Sequence, residues 1–378
     1  MTSASVTRSD GSIPPLFAIS VDDPQKVGDP IRQFIMYTVH TRTSSPLYSK
    51  SSFSVLRRYS DFLWLYETLS INNPGVIVPP VPEKHTFGRF DTHFVQQRRL
   101  ALEKCIQKIA NHPVLAKDAD LKFFLESDTF ALDVKHKKME SAHERGGLMA
   151  SIGQTLTGTR FHETDEWFDK QRAYLDGLES QLRGLVKSID IVAKQRAELS
   201  TATKDFAATV SELSSSELGP QLKRSLAALA DVKHVVAEAQ NAQSQQDVIT
   251  LMSTADEYSR LIGSVRMAFN SRIRIYTNWQ SADAEVRRAR QMHDRAKAQG
   301  RLPTDRVGHT VSLVAEATKQ AERRALDAKH EFDQCSRLIK SEVARFEQER
   351  VEDFKTALQI FLDGMISRQR QVRSSTYE

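Results

Sequence analysis

Two cysteines in 378 residues, Cys105 and Cys335, are too few and too far apart for a disulfide framework. Neither has a neighbour at metal-binding or redox spacing, so a reduced, cytosolic compartment is expected. No apolar run approaches the roughly 20 residues that cross a bilayer, and no secretory signal pattern opens the chain. Any membrane contact is therefore expected to be peripheral. P-loop, GxGxxG, HExxH, GxSxG and CxxC patterns are all missing. The 11 histidines are scattered, and His85, His93 and His112 read as surface or structural residues. These gaps speak against an enzyme, a cofactor or a bound metal. Glycine is scarce at 15 residues, beside 27% charged and 40% hydrophobic ones, which favours a helix-rich chain with a real core.

The chain falls into five stretches. Residues 1–14 are polar and read as a disordered arm. Residues 15–131 form an α+β domain. Leu16–Val21, Phe34–Val39 and Phe53–Leu56 read as a three-stranded meander, with a turn at Asp22-Asp23-Pro24. Helices follow at Ser60–Leu69, Phe94–Ala110 and Ala119–Leu125, and a stiff proline segment occupies 79–82. Residues 132–162 are a linker. Within it Leu148, Met149, Ile152 and Leu156 line one side, as in a helix lying in a membrane interface or in a connector packed on protein.

Residues 163–372 are all-α, and 373–378 are a tail. Three long segments show apolar spacing of three and four, broken at Gly219-Pro220 and between Gly300 and Pro303. In the first segment Leu185, Val192, Leu199, Phe206 and Leu213 belong to the expected core. Two breaks predict an up-down-up three-helix coiled-coil bundle. So long and thin a bundle buries little at its ends, and a second copy is the natural remedy.

Net charge is +5, mild for a nucleic-acid binder, so no nucleic acid is expected. Between Val286 and Lys329, however, eleven bases face five acids. Arg287, Arg288, Arg290, Arg295, Lys297, Arg301 and Arg306 bracket the second break and therefore sit near one bundle tip. They suit either an anionic lipid surface or an ordinary solvated helix face with paired acids.

Three more cationic groups occupy the α+β region. Arg58 sits at a strand-to-helix junction beside Tyr59, Lys84 ends the proline turn, and Arg98 lies early in a helix. An arginine fork matches phosphate oxygens, a lysine supplies a point charge, and a flat ring can lie under a sugar. Such a set can converge on one phosphorylated headgroup. Arg57 is expected to be a solvated neighbour rather than a ligand.

Arg57-Arg58-Tyr59-Ser60-Asp61-Phe62, Val78-Pro79-Pro80-Val81-Pro82-Glu83-Lys84 and the run from Arg98 to Ile106 together resemble the PX (phox homology) domain. The resemblance implies that Arg58 binds a 3-phosphate and that Tyr59 stacks under the inositol. It implies that Lys84 contacts the 1-phosphate and Arg98 the 4- and 5-hydroxyls. Phe87 and Phe90 follow the proline turn, where they either insert into the bilayer or pack on the domain. Asp165-Glu166-Trp167-Phe168, the run from Asp256 to Ile262 and the run from Phe346 to Lys355 resemble the BAR domain of sorting nexins. The whole is similar to the PX–BAR sorting nexins, and most of all to their fungal retromer-associated members. Phosphatidylinositol 3-phosphate, anionic membrane, a homodimer or a heterodimer with another sorting nexin, and the retromer cargo-recognition trimer are the implied partners. The implied place is the cytosolic face of endosome membranes, and the implied role is to sense or generate tubule curvature for retrograde sorting. The arm before the PX-like region is shorter than in relatives, where it contributes to retromer binding. A soluble coiled-coil adaptor, its basic tip holding a protein or an RNA, is the alternative.

Overall fold

A computed structural model describes residues 16–29, 33–84, 90–136, 161–217, 219–298 and 304–377, with side chains except at 92–93, 296–298, 304–314 and 376–377. The chain divides into two compact units, Met1–Asn73 with Val78–Leu156, and Pro74–Ile77 with Thr157–Glu378.

In the first unit β1 (Phe17–Val27), β2 (Phe34–Thr43) and β3 (Ser52–Arg58) form an antiparallel sheet in the order β1-β2-β3. β1 runs straight through the expected turn. The register slips between Asp22 and Gln25, and Asp23 takes a φ of 47°. Pro24 offers no N–H to the ladder, so the strand bulges there instead of stopping. The helices are α1 (Tyr59–Asn72), α2 (Thr92–Asn111) and α3 (Ala119–Glu126), with helical residues 130–136 beyond. α2 lies against β1 and covers its edge with side chains. Gln107 Oε1 accepts the Ile19 N–H at 2.7 Å, and Glu103 Oε2 accepts the Val21 N–H at 2.9 Å. Edge amides are thereby satisfied without a fourth strand. Cys105 and Cys335 are both buried and not joined in a disulfide.

The second unit contains α4 (Glu166–Ser214), α5 (Pro220–Asp247), α6 (Ser253–Ala298) and α7 (Thr304–Tyr377). Pro220 starts α5 at a position where its missing N–H costs nothing. α6 continues α5 through a π-helical turn, Val248–Met252, which the apolar spacing did not foretell. With 74 residues, α7 is about 110 Å long. Phe168, Leu175, Leu178 and Leu182 of α4 pack with Tyr258, Ile262, Phe269, Ile339 and Phe346 in one core. Arg272 is buried in this unit, its guanidinium 3.8 Å from the Phe168 ring and paired with Glu163 at 2.6 Å. Pro74–Ile77 pack here too: the Gly75 N–H donates to Ser271 Oγ at 2.8 Å and the Ile77 N–H to Glu342 Oε2 at 3.0 Å.

Beyond Leu182 most of the expected core is not the observed one, although Val210 is buried. Leu185, Val192, Leu199, Phe206 and Leu213, seven residues apart, are 37–53% exposed. The seam between α4 and α5 is instead made of small side chains. Ser200 Oγ donates to Ala237 O and Ser244 Oγ to Ala193 O, both at 2.7 Å. Ala207 and Ala230, also buried, continue that register. Small residues let the two backbones approach, which turns the large apolar stripe outward. Ala237→Leu should therefore wedge the seam and cost about 1–3 kcal/mol. Urea unfolding followed by helical circular dichroism reads this; an unchanged midpoint contradicts the close seam.

Candidate anion-binding site

Alternation along β3 sends neighbouring arginines to opposite sides. Arg57, 1% exposed, points into the first unit, which corrects the expectation of a solvated residue. Its Nε and Nη2 donate to Phe124 O at 2.9 and 2.6 Å, Nη2 also to Ser127 O at 2.6 Å, and Nη1 to Leu56 O at 2.7 Å. These carbonyls include the C-terminal turn of α3, which a cation suits. The guanidinium also lies 4.5 Å from the Phe130 ring. Burial lowers its pKa to about 10, opposed by Asp61 and Asp128, so Arg57 stays cationic at neutral pH. A second basic side chain directly before the obvious ligand candidate was the one available signal for this role.

Arg58 points the other way and remains 43% exposed, as the last strand residue before α1. Its Nε is 3.3 Å from Asp61 Oδ1, and its guanidinium lies 5.6 Å from the Phe34 ring. Tyr59 begins α1, and its hydroxyl donates to Pro82 O at 2.7 Å. Arg98, one turn beyond Phe94 on α2, spans the gap. Its guanidinium is 4.6 Å from the Tyr59 ring and 4.4 Å from the Phe94 ring, and Nη2 donates to Glu83 O at 3.1 Å. The tyrosine, the proline turn and α2 are thus tied together, and Arg58 directly precedes the tyrosine on the chain. Lys84 comes next after Glu83 and is exposed. Burial raises the pKa of Tyr37, on the adjacent strand β2, against the opposing charge of Arg98. Arg99, beside Arg98, is turned to β1 instead, donating to Val21 O at 2.7 Å. Tyr59 and Arg98 are therefore in contact, and Arg58, the residue before Tyr59, is exposed beside Asp61 and Phe34.

Of the other candidates, Phe87 lies outside the described residues, as do Leu148, Met149, Ile152 and Leu156. Phe90 is half-buried, with the Lys26 ammonium 4.6 Å from its ring. On α6 Arg287 pairs with Asp283 at 3.1 Å, and Arg290 pairs with Glu322 of α7 at 2.8 Å. Arg288 and Arg295 are exposed and make no ion pair among the described residues. Arg301 and the side chains of Lys297 and Arg306 lie outside the described ones. No group of three or more His, Cys, Asp or Glu that could hold a metal occurs among the described residues. No described helix is long and apolar enough to cross a membrane.

Residues 142–377 match the family described as Vps5 C terminal like, and residues 45–128 match the PX domain. Vacuolar protein sorting-associated protein vps5 of Schizosaccharomyces pombe is 32% identical over 371 residues, 94% of this chain and 63% of that protein. Sorting nexin-2 of Bos taurus is 32% identical, over 94% of this chain and 70% of its own length. Sorting nexin-1 of Homo sapiens is 30% identical, with shares of 94% and 69%. The chain thus spans just under two thirds of vps5 and a little more of the two sorting nexins. A cryo-EM structure of the SNX-BAR Mvp1 tetramer superposes with a TM-score of 0.62 at 14% identity, covering 94% of this chain and 99% of that one, which is a likeness of fold.

Proposed function

We propose that this chain, which belongs to the sorting nexin family and its PX–BAR class, is a non-enzymatic, peripheral protein of endosome membranes. In this reading the first unit binds phosphatidylinositol 3-phosphate. The second pairs with another BAR domain, and the paired helices sense or impose tubule curvature in retrograde sorting with the retromer cargo trimer. The observation that carries the lipid half is the Arg98 guanidinium laid over Tyr59 beside an outward Arg58. Arg58 takes the 3-phosphate, Lys84 the 1-phosphate, and Arg98 the hydroxyls across the ring. The pairing half is supported by the uncovered heptad stripe of α4 and by Val351, Leu358 and Leu362 of α7, each 46–58% exposed. Arg287, Arg288, Arg290, Arg295, Lys297, Arg301 and Arg306 add weak contacts to anionic lipid, and two lipid sites per pair convert weak contacts into avidity.

A soluble adaptor is the second reading. It draws on the pairing of Arg287 with Asp283 and of Arg290 with Glu322, which leaves less free charge at the tip. Vesicle flotation separates the two. The wild type should float with phosphatidylcholine vesicles carrying phosphatidylinositol 3-phosphate, and Arg58→Ala should lose at least tenfold in affinity, since charge-assisted bonds to phosphate are worth about 1.5–3 kcal/mol each. Undiminished flotation of Arg58→Ala rejects the pocket, and a wild type that stays soluble on every lipid favours the adaptor.

A further inference from the structure

Asp61 is an acid set against the cations of the proposed headgroup site, and charge counting alone makes it a defect. Its contacts give it another role. The carboxylate is only 10% exposed. Its Oδ2 accepts the Arg58 backbone N–H at 3.0 Å, while Oδ1 takes the Arg58 Nε–H at 3.3 Å. The first bond fixes the turn from β3 into α1, with Asp61 in the third helical position reaching back to the cap residue. The second holds the inner edge of the guanidinium, whose carbon lies 5.6 Å from the Phe34 ring. Arg58 is the residue most in need of such support, because its side chain is 43% exposed and an arginine loses much rotamer freedom when it is fixed. With Nε engaged, Nη1 and Nη2 remain, and neither bonds to protein among the described residues.

From these contacts we infer that Asp61 is a positioning residue for the ligand's phosphomonoester. It acts through Arg58 and never touches the anion. By tying backbone and Nε to one carboxylate, it presents the Nη1–Nη2 end of the fork to a terminal phosphate. The inference rests on the headgroup reading above and adds the residue that orients its principal cation. Field and orientation make opposite demands here. Asp61→Asn removes a negative charge beside the site, so the field alone tightens anion binding. Loss of orientation weakens it, by about tenfold if Asp61 supports Arg58 as outer residues support a ligand set elsewhere.

The test uses the full chain with two probes, soluble inositol 1,3-bisphosphate and phosphatidylcholine vesicles with or without phosphatidylinositol 3-phosphate. Asp61→Asn should bind both phosphorylated probes about tenfold more weakly than the wild type. Asp61→Glu, the residue that usually closes this kind of cap, should recover most of the loss. In an Arg58→Ala background Asp61→Asn should not weaken residual binding further, because the support has nothing left to hold and only the favourable loss of a nearby negative charge remains. A merely structural Asp61 would still weaken binding there, and that result overturns the inference, as does equal or tighter binding by Asp61→Asn alone. A wild type indifferent to the 3-phosphate would sink the headgroup reading itself, a distinct outcome. If inorganic phosphate competes as well as the bisphosphate and shows the same ratio between variants, the positioning role stands and the ligand is a free anion rather than a lipid.

Discussion

Arg57→Ala should unfold the first unit at physiological temperature, while its neighbour Arg58→Ala should leave that unit folded. Arg57 is 1% exposed and satisfies carbonyls at Leu56, Phe124 and Ser127, which lose this donor if the side chain is cut back. Stranding buried acceptors costs about 1–3 kcal/mol each, and a cavity beside Phe124 and Phe130 adds to that. The total reaches roughly 4–6 kcal/mol, comparable with the whole stability of a small domain. Arg57→Lys keeps the charge but offers one point donor in place of a fork, so it should recover only part of the loss. Hydrogen exchange on the full chain is the measurement. β3 and α3 should exchange far faster in Arg57→Ala, with α4 to α7 unchanged. Native-like protection of β3 and α3 would show that the guanidinium does not hold them.

Leu199→Asp combined with Phe206→Asp should turn a paired molecule into a monomer without loss of helix. The two side chains are 53% and 49% exposed, so little intrachain packing is at risk. Covering the exposed half of each is worth about 1 kcal/mol, and a two-fold pair has four of them, or roughly three orders of magnitude in dissociation constant before carboxylate burial is added. Sedimentation velocity at micromolar concentration reads the result, and circular dichroism checks the fold. A pair that survives both substitutions places the interface elsewhere.

Much of this architecture was readable in the chain. The strands follow from alternation, the first helix break from Gly219-Pro220, and the meeting of Tyr59 with Arg98 from aromatic and basic side chains in separate motifs. Other features were hidden for specific reasons. Arg57 looks like a ligand or a surface residue because nothing local shows that Phe124 O and Ser127 O, about 70 residues on, need a donor. The outward turn of Leu199 and Phe206 was missed because hydrophobic periodicity marks a stripe but not what covers it. Ala193, Ser200 and Ala207 carry too little apolar weight to announce a seam. The π-turn at Val248–Met252 accompanies a joint in which the buried Asp247 carboxylate accepts from Gln243 at 2.5 Å and pairs with Arg196 at 3.2 Å. Polar groups of that kind read as surface until helices are brought together around them. At the tip, acids on both helices meet the arginines, which a count along one strand of sequence does not reveal.

Electron microscopy of the chain on vesicles, with and without phosphatidylinositol 3-phosphate, bears most directly on a rigid pair docked by headgroup contacts. The expected image is narrow tubules coated by elongated pairs, on the 3-phosphate vesicles alone. Bare, round vesicles at saturating protein, or tubules that form equally without the phosphorylated lipid, would contradict it.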